Sequence, residues 1–155
     1  MRMSDFVIRE AMTTGLAAAT KEGVIREMVD NLRRAGHFKS SEPEDIVKAI
    51  LKRELLGSTG IGNGVAIPHA KHASVERLVG AVAISKGGVG FESLDNEPVH
   101  VFVMLVSPND RPGDHLRALE NVSRCLRDGA FVKALRNAAD ANAIWDLLTE
   151  EHTGN

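Results

Sequence analysis

Residues 99–106 read Val-His-Val-Phe-Val-Met-Leu-Val, and this run constrains the chain more than any other. It is apolar on both alternating faces, which predicts a central strand covered on both sides. Residues 79–84 (VGAVAI) form a second run of the same kind, and both are bounded by glycine, asparagine, aspartate or proline. Neither approaches the ~18 apolar residues of a membrane span. The cover must therefore come from the rest of the chain.

Helical periodicity supplies that cover. Val24, Ile25, Met28, Val29 and Leu32 recur at helical spacing after Thr20, and Gly36 stands where a left-handed cap is expected. A second helix is predicted to open at Ser41, with Glu44 at capping-box spacing, and to run through Ile46, Val47, Ile50, Leu51 and Leu55 to Gly57. A third carries Leu116, Leu119, Val122 and Leu126 on one stripe, with His115 in its first turn at the edge of that stripe. Residues 131–139 and 141–148 predict two short closing helices, the latter capped by Asp140. Residues 15–19 predict an edge strand, residues 87–98 a turn-rich connection, and the polar tail from Glu150 a frayed end. The order of elements implies an α+β fold, a three-layer α/β/α sandwich. Strands clustered mid-chain predict a mixed sheet rather than strict βαβ alternation.

Composition sets the remaining bounds. At 155 residues, 43% hydrophobic and 26% charged, residues 1–155 read as one globular domain. Such a chain buries roughly 70% of its unfolded surface and needs no disulfide, in keeping with a single cysteine, Cys125. Nineteen Lys and Arg against twenty-one Asp and Glu, spread without a basic stripe, argue against nucleic acid as a partner. No tyrosine and only 4% aromatics disfavour stacking platforms for bases or sugars. Charges at Arg2, Asp5, Arg9 and Glu10 replace the apolar core of a signal peptide, so a cytoplasmic protein without membrane insertion is expected.

Chemistry concentrates after the second helix. Residues 57–64 (GSTGIGNG) hold four glycines in eight residues, followed by Val65-Ala66-Ile67-Pro68-His69. Pro68 fixes its own φ and holds Ile67 extended, so His69 sits at a stiff strand end facing the glycine loop. Taken alone, His69 is more often a strand-end side chain satisfied by a carbonyl. Three further features oppose that reading. Arg53 could clamp a phosphate or simply complement a helix C-terminus; Ser58 and Thr59 could build an anion nest or a plain turn. His115, at a helix N-terminus, could meet an anion or serve as a cap or core residue.

Other chemistries fit less well. The glycine loop lacks the Gly-Lys-Ser/Thr ending of a P-loop and follows a helix, so nucleotide binding is not supported. His69 and His72, with His100 and His115, form no zinc motif, and no Gly-x-Ser-x-Gly elbow accompanies Ser58 or Ser74.

The segment from Arg53-Glu54 through the glycine loop to Pro68-His69 resembles the active-site segment of the enzyme IIA domains of the mannitol and fructose class in the bacterial phosphoenolpyruvate-dependent sugar phosphotransferase system. The nitrogen-regulatory members are the most similar. Phe91, Leu94-Asp95, Pro98-Val99, Pro108 and His115-Leu116 follow the family's order, so the resemblance spans residues 20–148. It implies a phosphohistidine relay: His69 accepts the phosphoryl group, and Arg53 and His115 surround it. Ser58 and Thr59 lie within the same segment. The implied donor is an HPr-like phosphocarrier protein, and the implied acceptor a IIB component or a regulatory target. No cofactor or metal is implied, and His72 belongs to no motif of the family. The residues also allow a regulatory binding module read by phosphorylation state, or a non-catalytic anion-binding domain.

Overall fold

The computed structural model describes residues 1–39 and 42–150. A five-stranded mixed sheet forms its middle layer. Its strands are β1 (Gly60–Gly62), β2 (Val65–Ala66), β3 (His69–His72), β4 (Val79–Val89) and β5 (Val99–Pro108). The run predicted to be most buried is the hub: β5 pairs in parallel with β2 and β3 and antiparallel with β4, while β1 pairs antiparallel with β2.

The two faces of β4 and β5 sort their side chains into two cores, as strand alternation requires. Ala81, Ala83, Phe102, Met104 and Val106 pack under α2 (Lys21–Arg34) and α3 (Pro43–Leu55). Val82, Ile84, Val101, Val103 and Leu105 face α1 (Met3–Phe6), α4 (Pro112–Leu126), α5 (Gly129–Arg136) and α6 (Ala141–Glu150). This is the expected three-layer mixed sandwich. Each fully buried Val, Leu, Ile, Phe or Met side chain contributes about 1.5–3 kcal/mol, so the two-sided strands anchor everything attached to them.

Helix ends follow the local chemistry. The Thr20 hydroxyl caps α2 by accepting from Gly23 N, and Gly36 ends it at φ 97°. The Asp140 carboxylate accepts from Ala143 N at 2.8 Å, as its position predicts. Helix α3 begins at Pro43, with Glu44 and Asp45 in its first turn; the expected cap Ser41 lies outside the described residues. Helix α5 starts two residues earlier than periodicity suggests, because Asp128 caps it through Ala130 N and Phe131 N.

Three expectations are corrected. Residues 15–19 form no strand. They run beside β4 with single bridges on either side, at Thr13 and Thr20, and the amides of Ala17 and Ala18 donate instead to the Glu27 carboxylate. Residues 87–89 are not a turn: β4 continues to Val89, with a register shift between Ile84 and Val89. The apolar stripes of α3 and α4 face inward as expected at Ile46, Val47, Ile50, Val122 and Leu126, but each departs at one end. Glu54 is buried and Leu55 is 87% exposed, while His115, Ala118, Val122 and Cys125 face inward and Leu116 is 57% exposed. Both departures put a partnered polar side chain in the inward position: Glu54 with Lys21 and Thr59, and His115 with Ser107.

Candidate functional site

Helix α3 delivers Arg53 and Glu54, the glycine loop turns back, and β2 leads through Ile67 and Pro68 to His69 at the start of β3. The loop needs its glycines. Positive φ angles at Gly62, Asn63 and Gly64 make the reversal, and a Cβ at Gly60 would fall on the Ser93 side chain, 3.1 Å from its Cα. Gly60→Ala is therefore expected to displace the loop, costing about 1–3 kcal/mol in a urea titration, whereas Gly129→Ala, with open space around it, should cost less.

His69 Nδ1 lies 2.7 Å from the Ile67 carbonyl oxygen. A carbonyl only accepts, so Nδ1 carries the proton and Nε2 holds the free lone pair. Burial lowers the pKa of His69 against the raising effect of that carbonyl, and the nearby Arg53 lowers it further. The ring is neutral at pH 7, with Nε2 unprotonated.

The structure brings His115 to His69 from 46 positions later in the chain, with ring centroids 5.5 Å apart. Its Nδ1 is hydrogen-bonded to the Ser107 hydroxyl at the end of β5. Burial, followed by the neighbouring His69, pushes the His115 pKa down to about 4. His115 is thus a neutral hydrogen-bonding group at pH 7, not a cation.

The same burial predicts acid sensitivity. An unfolded His115 takes up a proton below about pH 6.5, whereas the folded one does so only near pH 4. Stability is therefore fully present above pH 6.5 and is lost as pH falls toward 4, by up to about 3 kcal/mol. Urea midpoints measured between pH 7.5 and 4 should fall accordingly, and His115→Gln should flatten that dependence.

Arg53 Nη1 donates to the Gly57 carbonyl at 2.9 Å, fastening the end of α3 while its charge reaches His69. The hydroxyls of Ser58 and Thr59 are turned inward. Ser58 Oγ donates to the Phe91 carbonyl at 2.8 Å and accepts from Gly60 N; Thr59 Oγ1 bonds the Glu54 carboxylate, which also accepts from Thr59 N at 3.1 Å. Lys21 Nζ completes that buried cluster 3.1 Å from Glu54 Oε1 and lies over the Phe91 ring. The hydroxyl pair thus builds the loop's frame beside His69.

Four further residues shape the site without being candidate site residues in the sequence. Ser107 has no local signal, and Lys21 lies on a helix whose sequence signal is its apolar stripe. Lys71 shares a strand face with His69 by period-two alternation, and its charge acts on both His69 and His115. Glu54 does have a signal, since it stands four residues beyond Ile50 on the buried stripe. His72, three residues along β3 from His69, lies on the opposite face and bonds Ser74 Oγ at 2.6 Å. The two histidines cannot share a metal.

Comparison with known proteins places the chain in a family. Residues 6–151 match the family model described as Phosphoenolpyruvate-dependent sugar phosphotransferase system, EIIA 2. The chain is 34% identical to a nitrogen regulatory protein of Bradyrhizobium diazoefficiens, covering 96% of this chain and 95% of that one. It is 37% identical to the fructose-specific EIIABC component of Bacillus subtilis, covering 97% of this chain but 23% of that longer protein. The crystal structure of nitrogen regulatory protein IIA-Ntr from Neisseria meningitidis superposes with a TM-score of 0.86 at 27% identity, over 94% of this chain and 98% of that one.

Proposed function

Since the chain belongs to the EIIA 2 family of the phosphoenolpyruvate-dependent sugar phosphotransferase system, we propose that it carries a phosphoryl group on Nε2 of His69. The observation that carries this assignment is the Nδ1 hydrogen bond to the Ile67 carbonyl, which leaves Nε2 with a free lone pair on a ring whose centroid lies 5.5 Å from that of His115.

The chemistry needs no metal or nucleotide. Nε2 attacks the phosphorus of a phosphohistidine on an HPr-like carrier; the new N–P bond forms as the donor N–P bond breaks, and the donor imidazole leaves with the electron pair. The phosphorylated His69 ring, still protonated at Nδ1, carries positive charge that the Ile67 carbonyl stabilises. That charge makes it a good leaving group for onward transfer. Arg53 supplies planar donors to the phosphoryl oxygens, and a neutral His115 with its Ser107 partner supplies a hydrogen bond. Charge neutralisation and positioning are the main demands of phosphoryl transfer.

Donor and acceptor must both reach His69. The segments that deliver Arg53 and His115 also expose Leu55, Leu56 and Leu116, an apolar rim suited to a protein partner. A IIB component is one acceptor class; a relative named as an EIIABC component places such parts in one chain. Regulation through the phosphorylation state of His69 is the second reading, supported by 34% identity to a nitrogen regulatory protein along nearly the whole chain.

Intact-mass analysis after incubation with phosphoenolpyruvate, enzyme I and a carrier protein, at neutral to alkaline pH, should show one added phosphoryl group. Transfer onward to a IIB domain would favour transport. Failure of every such transfer, with partner binding that depends on phosphorylation, would favour regulation. No adduct with any carrier would end the relay reading.

A further inference from the structure

A cleft of about 870 Å³ lies between the β4–β5 end and the junction of α4 with α5. Four cations line it: Lys86 from β4, Arg127 at the end of α4, and Lys133 and Arg136 from α5. Among the described residues no carboxylate lines it. Elsewhere the basic side chains are widely paired, as in Arg26–Glu44, Arg33–Asp30 and Arg117–Asp114. Among the described residues none of the four cleft cations has an ion-pair partner.

The acidic residues nearest them in sequence are diverted. Asp128 caps α5 through two amides, and Asp140 caps α6 through Ala143 N. Four like charges gathered on a chain of formal charge -2 are a local asymmetry rather than a basic protein's average. Concave walls concentrate such a field and draw anions in.

We propose that this cleft binds a small organic polyphosphate, at a site separate from His69. More than one phosphate is required because the cations come from three elements around a cavity of ligand size. An organic body is required because Ile84, Leu126 and Val132 form an apolar floor between them. Separation follows from β5: His100 lines the cleft, whereas His69 pairs with Leu105, five residues and roughly 16 Å further along the strand. Asn63, at the tip of the glycine loop, also lines the cleft and gives a bound ligand direct contact with that loop.

Isothermal titration calorimetry with magnesium-free ATP and, separately, inorganic pyrophosphate tests this. Saturable binding of ATP is expected, weakened by salt, with pyrophosphate weaker by about tenfold for want of apolar contacts. Lys133→Ala/Arg136→Ala replaces two exposed side chains and should leave the thermal midpoint unchanged. It should weaken both probes by about tenfold or more, the loss of at least one charge-assisted hydrogen bond. His69→Ala should bind ATP as the wild type does. Absence of saturable binding, equal affinity for the two probes, undiminished binding in the double variant, or loss of binding in His69→Ala would each overturn the proposal. None of these readouts depends on phosphoryl transfer.

Discussion

His69→Ala is expected to take up no phosphoryl group under conditions that load the wild-type chain fully. The loss should be complete rather than graded, because the variant lacks the atom proposed to form the N–P bond, whereas changes at neighbouring groups alter only the barrier to forming it. Arg53→Ala and His115→Ala should slow uptake by about 10²–10³-fold, the range for removing one donor to a developing charge. The ring of His69 is half-buried, and Ala70 beside it holds the strand in the core, so the His69 variant should remain folded. Quench-flow sampling analysed by intact mass separates the two classes. Full uptake by His69→Ala, or an adduct mapped to His72 or His100, would remove His69 from the mechanism. Lowering the pH should slow wild-type uptake only below the range in which an ordinary histidine protonates, because burial and Arg53 hold the His69 pKa down.

Glu54→Ala is expected to be the most destabilising single change near the site. The Glu54 side chain is 3% exposed and its partner Lys21 19%. Its carboxylate also receives Thr59 N and the Thr59 hydroxyl. Truncation leaves both Thr59 donors without their acceptor and the ammonium with only its longer, 3.7 Å contact to the exposed Glu92, a loss of about 3–5 kcal/mol. That is a large share of the roughly 5–15 kcal/mol by which a domain is ordinarily stable. Glu54→Leu combined with Lys21→Met should be less destabilising than Glu54→Ala, since it leaves no buried charge unpaired. Urea denaturation of the two variants decides the matter. A loss below about 1 kcal/mol in Glu54→Ala would mean that the cluster adds little beyond its packing. Because Thr59 leads into the glycine loop, the same substitution should also slow phosphoryl uptake in whatever fraction stays folded.

Much of the fold is legible in the linear order of residues. Apolar runs on two faces require a covered sheet, and β5 is indeed its hub. The Thr20 and Asp140 caps, and the glycine ending α2, act within one helical turn and are legible for that reason. The departure at residues 15–19 has a nonlocal cause: Glu27, in the facing helix, takes the amides that a strand would offer to a neighbour. The departures at Leu55 and Leu116 have the same kind of cause. Leucines at acceptable spacing lose the inward position to Glu54 and His115, whose partners lie on α2, the glycine loop and β5.

Short-range restraints come from the linear chain alone: helix and strand periods, the caps, the glycine reversal and the Pro68 lock that holds His69 at a strand end. Steric exclusion and backbone hydrogen bonding act over a few residues, so the order of residues is enough to specify them. Only the packed molecule decides how closely His115 meets His69, that Ser107 holds His115, that Lys21 neutralises Glu54, and that four cations share a cleft lined, among the described residues, by no carboxylate. Each of these depends on how desolvation and charge are shared between side chains far apart in the chain, and only packing sets those distances.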